Sequence, residues 1–116
     1  MQKLTSSQLN YMLCIRTLTQ NGTVRATDIS HSIGLSMPSV HNMLRTLEAM
    51  GLVEKHRHSV ALTDVGKATL VYYDNALAAA KALLHSIGAE GCEADAAVLA
   101  TCLSDAAVEK MIQAYS

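Results

Sequence analysis

No run of 18 or more apolar residues occurs in this 116-residue chain, so no membrane-spanning helix is expected. The first twenty residues mix Gln2, Lys3, Asn10 and Arg16 among the apolar ones, which is not a signal-peptide pattern. A cytoplasmic location is the expectation. Cysteine is sparse: Cys14, Cys92 and Cys102 are odd in number, widely spaced and form no CxxC pair. That argues against a disulfide scaffold and reads as three small buried hydrophobes. There is no HExxH, no phosphate loop and no Ser/His/Asp order with a supporting turn, so the chain is not expected to be an enzyme. His56-Arg57-His58 offers two imidazoles with no further ligand near them in sequence, too few for a metal site.

Half of the residues are hydrophobic, which suits one or two small domains with a modest core. The net charge of −1 hides an asymmetry. Residues 1–67 hold seven Lys and Arg against four Asp and Glu, a net of +3, with four histidines besides. Residues 68–116 hold two against six, a net of −4. The first half is suited to meeting an anion.

Thr5–Thr19 has Leu9, Met12, Leu13, Ile15 and Leu18 largely on one helical face, and Asn21-Gly22 ends it. After the link Thr23-Val24-Arg25, Ala26–Ile33 reads as a short helix with Ile29 and Ile33 inward. Gly34 stops it by a sharp turn. Ser36 caps the next helix, and Pro38, the single proline, is tolerated in its first turn. Val40, Met43, Leu44, Leu47 and Met50 continue it as an apolar stripe up to Gly51. Two short helices about a glycine turn give a helix-turn-helix. Leu52–Lys55 and Val60–Thr63 then alternate as strands around polar His56–Ser59, which predicts a wing. A long helix over 65–87, a short one over 94–103 and a last one opened by Ser104-Asp105 follow. The expected fold is mostly α: a winged helix-turn-helix over 1–64, then a helical dimerisation domain over 65–116. About fifty residues cannot bury all these apolar faces alone, so packing on helix one and on a second subunit is expected, with Leu70, Leu77, Met111 and Ile112 at the interface.

Reading the major groove requires small and hydrogen-bonding side chains on the exposed N-terminal half of a helix. Ser36, Met37, Pro38, Ser39, His41, Asn42 and Arg45 occupy that stretch. Asn42 suits an adenine edge, Ser36 and Ser39 bases or phosphates, and Met37 and Pro38 a thymine methyl. Arg45, a turn on, suits a phosphate, as do Arg25 and Thr27 at the start of the preceding helix. Arg57, between His56 and His58 at the wing tip, suits the backbone or a minor groove.

The stretch NGTVRATDISHSIGLSMPSVHNMLRTLEAMGLVEKHRHSVALTDVGKA resembles the winged-helix domain of the iron-dependent repressor family, the group of the diphtheria toxin repressor and the manganese transport regulator. The resemblance continues more weakly through LLHSIGAE and CLSDAAVEK, over about residues 6–113. It implies a homodimeric transcriptional regulator on a double-stranded DNA operator, most simply a repressor, without the extra C-terminal domain of longer members. In that family manganese or ferrous iron ties helix one to the dimerisation domain. The corresponding positions here are Leu9 or Asn10 and Met12 or Leu13, a site near Asn75–Leu77, and Ala97, Ala100 and Thr101. Alanine ligates nothing, and hard divalent ions require carboxylate or imidazole. The inherited site therefore reads as erased and no cofactor is expected. A relocated manganese or iron site would draw on His85, Cys92, Asp95 and Cys102; Cys92 and Asp95 share a helical face if the helix begins early enough. Two alternatives stay open: a metal-responsive repressor with such relocated ligands, and a winged-helix protein-interaction module without DNA binding, which the overall −1 and the few arginines would suit.

Overall fold

A computed structural model describes residues 3–89 and 93–115. The chain forms α1 (Ser6–Thr19), α2 (Ala26–Ile33), α3 (Met37–Ala49), β1 (Val53–Lys55), β2 (Val60–Leu62), α4 (Asp64–Ser86), α5 (Glu93–Cys102) and α6 (Asp105–Tyr115). Contacts divide it into two compact units, Ser7–Leu70 and a second made of Val71–Ser116 with the first six residues.

Local chemistry accounts for most boundaries in the Ser7–Leu70 unit. Gly34 turns the chain at φ 79° and donates its N–H to Ser30 O at 2.8 Å, closing α2. That φ lies in the left-handed region, where a Cβ is disfavoured. Ser36 Oγ accepts from the Ser39 N–H at 3.4 Å and opens α3, with Pro38 in the first turn, where no helical N–H is required. β1 and β2 pair antiparallel with Val53 opposite Leu62 and Lys55 opposite Val60. The His56 N–H donates to Ser59 O at 2.8 Å and closes the wing tip. Val24, read from the sequence as part of a link, adds a bridge to Val60 and widens this small sheet.

Thr63 ties the wing to both flanking helices. Its hydroxyl donates to Gly51 O at 2.6 Å, beyond the end of α3, and accepts the Gly66 N–H at 3.0 Å, capping α4. The Thr63 N–H donates to Leu52 O at 3.1 Å. Gly66 makes this junction possible. A Cβ there would lie well inside contact distance of Leu52 O and 3.1 Å from the Leu52 carbonyl carbon. The core beneath contains Leu9, Met12, Ile15, Ile29, Val40, Leu44, Leu47, Leu52 and Leu70.

The second unit packs small residues. Ala79, Ala80, Ala96 and Met111 form its buried centre, with Leu77, Leu83, Leu84, Leu99, Leu103 and Ile112 half-buried around them. The N-terminal segment joins it: the Leu4 N–H donates to Tyr73 Oη at 2.9 Å, and Lys3 Nζ donates to Leu103 O at 3.0 Å. Ser104 caps α6 as its sequence suggests, accepting the Ala107 N–H at 3.2 Å.

Two expectations need correction. Leu70 and Met111 were expected at a subunit interface, but both are buried within the single chain. The large apolar side chains left exposed in the second unit are Val71, Ile87, Val98 and Tyr115. The cysteines were expected to be buried, yet Cys102 is exposed and Cys14 half-buried, while Cys92 lies outside the described residues. Cys102 ends α5, where no later turn of that helix covers it.

Candidate nucleic-acid interface

The exposed surface of α3 has two sides, and the candidate residues divide between them. On the wing side, a groove is lined by Arg25, Ala26 and Thr27 from the start of α2, Met37, His41 and Leu44 from α3, and Lys55 to Val60 from the wing. On the other side, Ser39 and Asn42 share a shallow depression with Leu35, Met43 and Thr46, walled by Ser7, Gln8 and Tyr11 of α1. Helical geometry causes the split: residues 37, 41 and 44 repeat at the helical period along one edge, and 39, 42, 43 and 46 along the other.

Several polar groups are held before any ligand arrives. Arg25 begins α2: its backbone N–H donates to Asp28 Oδ2 at 2.9 Å, and its Nε lies 3.7 Å from the same oxygen. The pair is exposed, so it orients the guanidinium more than it stabilises the fold. Arg45 Nη1 donates to Asn42 Oδ1 at 3.3 Å, which aligns the amide and leaves its NH2 pointing elsewhere. Ser36 is occupied with its cap and donates its hydroxyl to Ser39 Oγ at 3.1 Å. It is therefore engaged in shaping the helix start, while Ser39 is an exposed hydroxyl one position before the buried Val40. Pro38, Ser39, His41, Asn42 and Arg45 are exposed and Met37 is half-buried. Arg57 is exposed at the wing tip. On the α1 wall, burial and then the neighbouring Cys14 push the Tyr11 phenol above its ordinary pKa of 10.0, keeping it neutral.

The groove also contains Lys55, which was not singled out from the sequence. It ends β1 opposite Val60, and that register brings it beside the loop cations. Strand alternation was the available signal; the strand's nearness to His41 was not. Among the described residues lining the groove none is acidic. Arg25, Lys55 and Arg57 with three imidazoles make it a place for anionic backbone, while the Ser39 and Asn42 side presents neutral donors and acceptors of the kind that meet base edges.

The metal positions implied by resemblance do not fit an ion. Ala97 and Ala100 carry no donor atom and are buried, and the Thr101 hydroxyl donates to Ala97 O at 2.7 Å within α5. At helix one, Leu9 and Met12 are buried core residues, and the alternative pair, Asn10 and Leu13, offers one neutral amide. Of the relocated candidates, His85 sits in the last turn of α4, and Asp95 and Cys102 lie at opposite ends of α5, about 10 Å apart along the axis. Among the described residues no three His, Cys, Asp or Glu side chains gather into a group able to hold a metal ion.

This arrangement of helices, turn and wing defines the class: a winged helix-turn-helix protein. Residues 15–57 match the family model described as the IclR helix-turn-helix domain. Over nine-tenths of its length or more the chain shares its fold with solved metal-dependent regulators, in agreement with the resemblance in the sequence. The metal-dependent transcriptional regulator MtsR is similar with a TM-score of 0.78 at 20% identity, over 92% of this chain and 52% of that one. The manganese-activated repressor ScaR in its apo form gives 0.71 at 26%, over 90% and 52%. The hypothetical protein SSo2273 of Sulfolobus solfataricus gives 0.75 at 22%, over 96% and 88%. The chain thus spans about half the length of the two named regulators and most of the Sulfolobus protein. Among curated proteins no sequence match is found. Among the described residues no helix is long and apolar enough to cross a membrane.

Proposed function

We propose that the chain is a sequence-specific transcriptional repressor that binds double-stranded DNA as a homodimer in the cytoplasm. The observation that carries the reading is the two-sided surface of α3, with a cationic groove against the wing and neutral polar side chains on the opposite edge. In this reading Ser39 and Asn42 read base edges. Arg25, Thr27, Lys55 and Arg57 meet phosphates, and Arg45 positions Asn42 and meets the backbone beside it. Met37 and Pro38 are the apolar contacts, and Ser36 sets the helix start. The second unit supplies the dimer contact through its exposed Val71, Val98 and Tyr115. Twofold symmetry then offers two α3 helices to two half-sites.

Manganese or ferrous iron does not control this protein through the positions that the resemblance points to, because Ala97 and Ala100 supply no ligand and the others, Leu9 or Asn10, Met12 or Leu13, and Asn75–Leu77, offer at most neutral amides. A regulatory ion has to favour one conformation, and tenfold in affinity requires about 1.4 kcal/mol of such preference. The test is a binding site selected from random duplexes, then titrated with and without chelator at several salt concentrations. Salt-dependent, sequence-selective binding that chelation leaves within about twofold is expected. Absence of binding would favour a protein-interaction role. A chelator-reversible gain of tenfold or more would overturn the metal reading and direct mutagenesis to His85, Cys92, Asp95 and Cys102.

A further inference from the structure

We propose that the wing-side groove makes DNA affinity respond to proton concentration through His41, His56 and His58. This rests on the DNA-binding reading above and adds a mode of regulation to the same site. Three of the five histidines of the chain line this one groove, and all three are exposed there. Histidine is the side chain whose charge ordinarily changes between about pH 5 and 8.

The charged groups facing the imidazoles come from the α2 wall and the wing. From α2 comes Arg25, whose Nε also lies 3.7 Å from Asp28 Oδ2, outside the groove lining. α3 lines the groove with Met37, His41 and Leu44 and adds no further charged side chain there. From β1 come Lys55 and Glu54, whose Oε1 lies 3.6 Å from His56 Nε2, and from the wing tip comes Arg57. A duplex brings about one phosphate charge per 1.7 Å of axis to this groove, whose lining holds Arg25, Lys55 and Arg57 and no carboxylate. Each imidazole then holds its proton more tightly in the complex than in the free protein. The added affinity is present in full below the free-state pKa, and it is lost as pH rises through the bound-state value. DNA binding takes up protons and strengthens on mild acidification.

The experiment is fluorescence anisotropy of the whole chain with a fluorescein-labelled, mixed-sequence duplex of roughly 30 base pairs, long enough for nonspecific phosphate contacts. Ionic strength is held constant from about pH 6 to about pH 8, the range histidine titrates over. The unmodified protein is compared with the triple variant His41→Gln, His56→Gln, His58→Gln. Because the three imidazoles are exposed, the thermal melt of the variant is expected to match that of the unmodified protein, and measuring it separates charge from folding. The expected result is binding tighter at the acidic end by about threefold or more, and a log–log salt slope steeper by about one to three. The triple variant should change by less than about twofold over the same range, because the groups that take up protons are gone. A pH response retained in the triple variant overturns the proposal, and so does a flat response in the unmodified protein that still binds. If neither protein binds DNA at low salt and any pH, the DNA reading itself fails and this proposal fails with it.

Discussion

Replacing Gly66 by Ala sets two well-defined effects against each other. In an exposed helix interior the change gains about 1 kcal/mol from helix propensity. At this position the new Cβ would meet the Leu52 backbone, well inside contact distance of the carbonyl oxygen and 3.1 Å from its carbon. The obstacle is main chain, which cannot rotate away as a side chain would. Leu52 is also held from both ends: its N–H donates to Leu47 O at 3.0 Å and its carbonyl accepts the Thr63 N–H at 3.1 Å. Separating α4 from the start of the wing strains or breaks the latter bond, worth about 1 kcal/mol. The accompanying overpacking costs about 1–3 kcal/mol. After the propensity gain, the net destabilisation is about 1–3 kcal/mol, or a Tm lower by roughly 4–12 °C for a chain of this size. Circular dichroism melts measure it, with Ala68→Gly on the exposed side of the same helix as the propensity control. A Gly66→Ala protein melting at or above the unmodified one would show that the close approach of α4 to Leu52 does not exist in solution. The same displacement should lower affinity for DNA, because Lys55 and Arg57 move with the wing.

Other substitutions address the interface and the second unit. Asn42→Ala should cost on the order of 1–3 kcal/mol against the selected site and relax preference at one base position, read by competition binding. Arg57→Ala should weaken all sequences alike and lower the salt slope by about one; selective weakening would mean that Arg57 reads bases instead. Val98→Glu on the exposed side of α5 should give monomers of unchanged helicity by light scattering, whereas Met111→Glu should lower Tm steeply because it places a charge in the buried alanine centre. The Tyr72 phenol is held above its ordinary pKa of 10.0, first by burial and then by Asp105, Tyr73 and Glu109. Its contribution to stability is present below 10.0 and lost as pH rises from there through the raised folded value, so Tyr72→Phe should flatten the alkaline fall in Tm.

What the sequence determined by itself was whatever depends on neighbours along the chain. Ser36, Thr63 and Ser104 satisfy orphan N–H groups three residues ahead of them, and Gly34 supplies a backbone angle needed at one residue. The stripes through α1 and α3 are periodic because a helix repeats, whatever it packs on. Those local rules placed the helix-turn-helix, the wing and the later helices to within a residue or two. The tertiary structure alone decided which polar residues work together. His41 and Lys55 are fourteen positions apart in sequence, yet they line one groove, while Asn42, next to His41, faces the other way. Periodicity says that a residue is outward but not what lies beside it. It also marked Met111 as apolar without showing that α4, α5 and α6 would bury it within the chain, because alanines at 79, 80 and 96 let the helices of the second unit come close. Gly66 carries no mark in the sequence that distinguishes it from a helix-weakening residue; only the carbonyl of Leu52 against its Cα shows why a side chain has no room there.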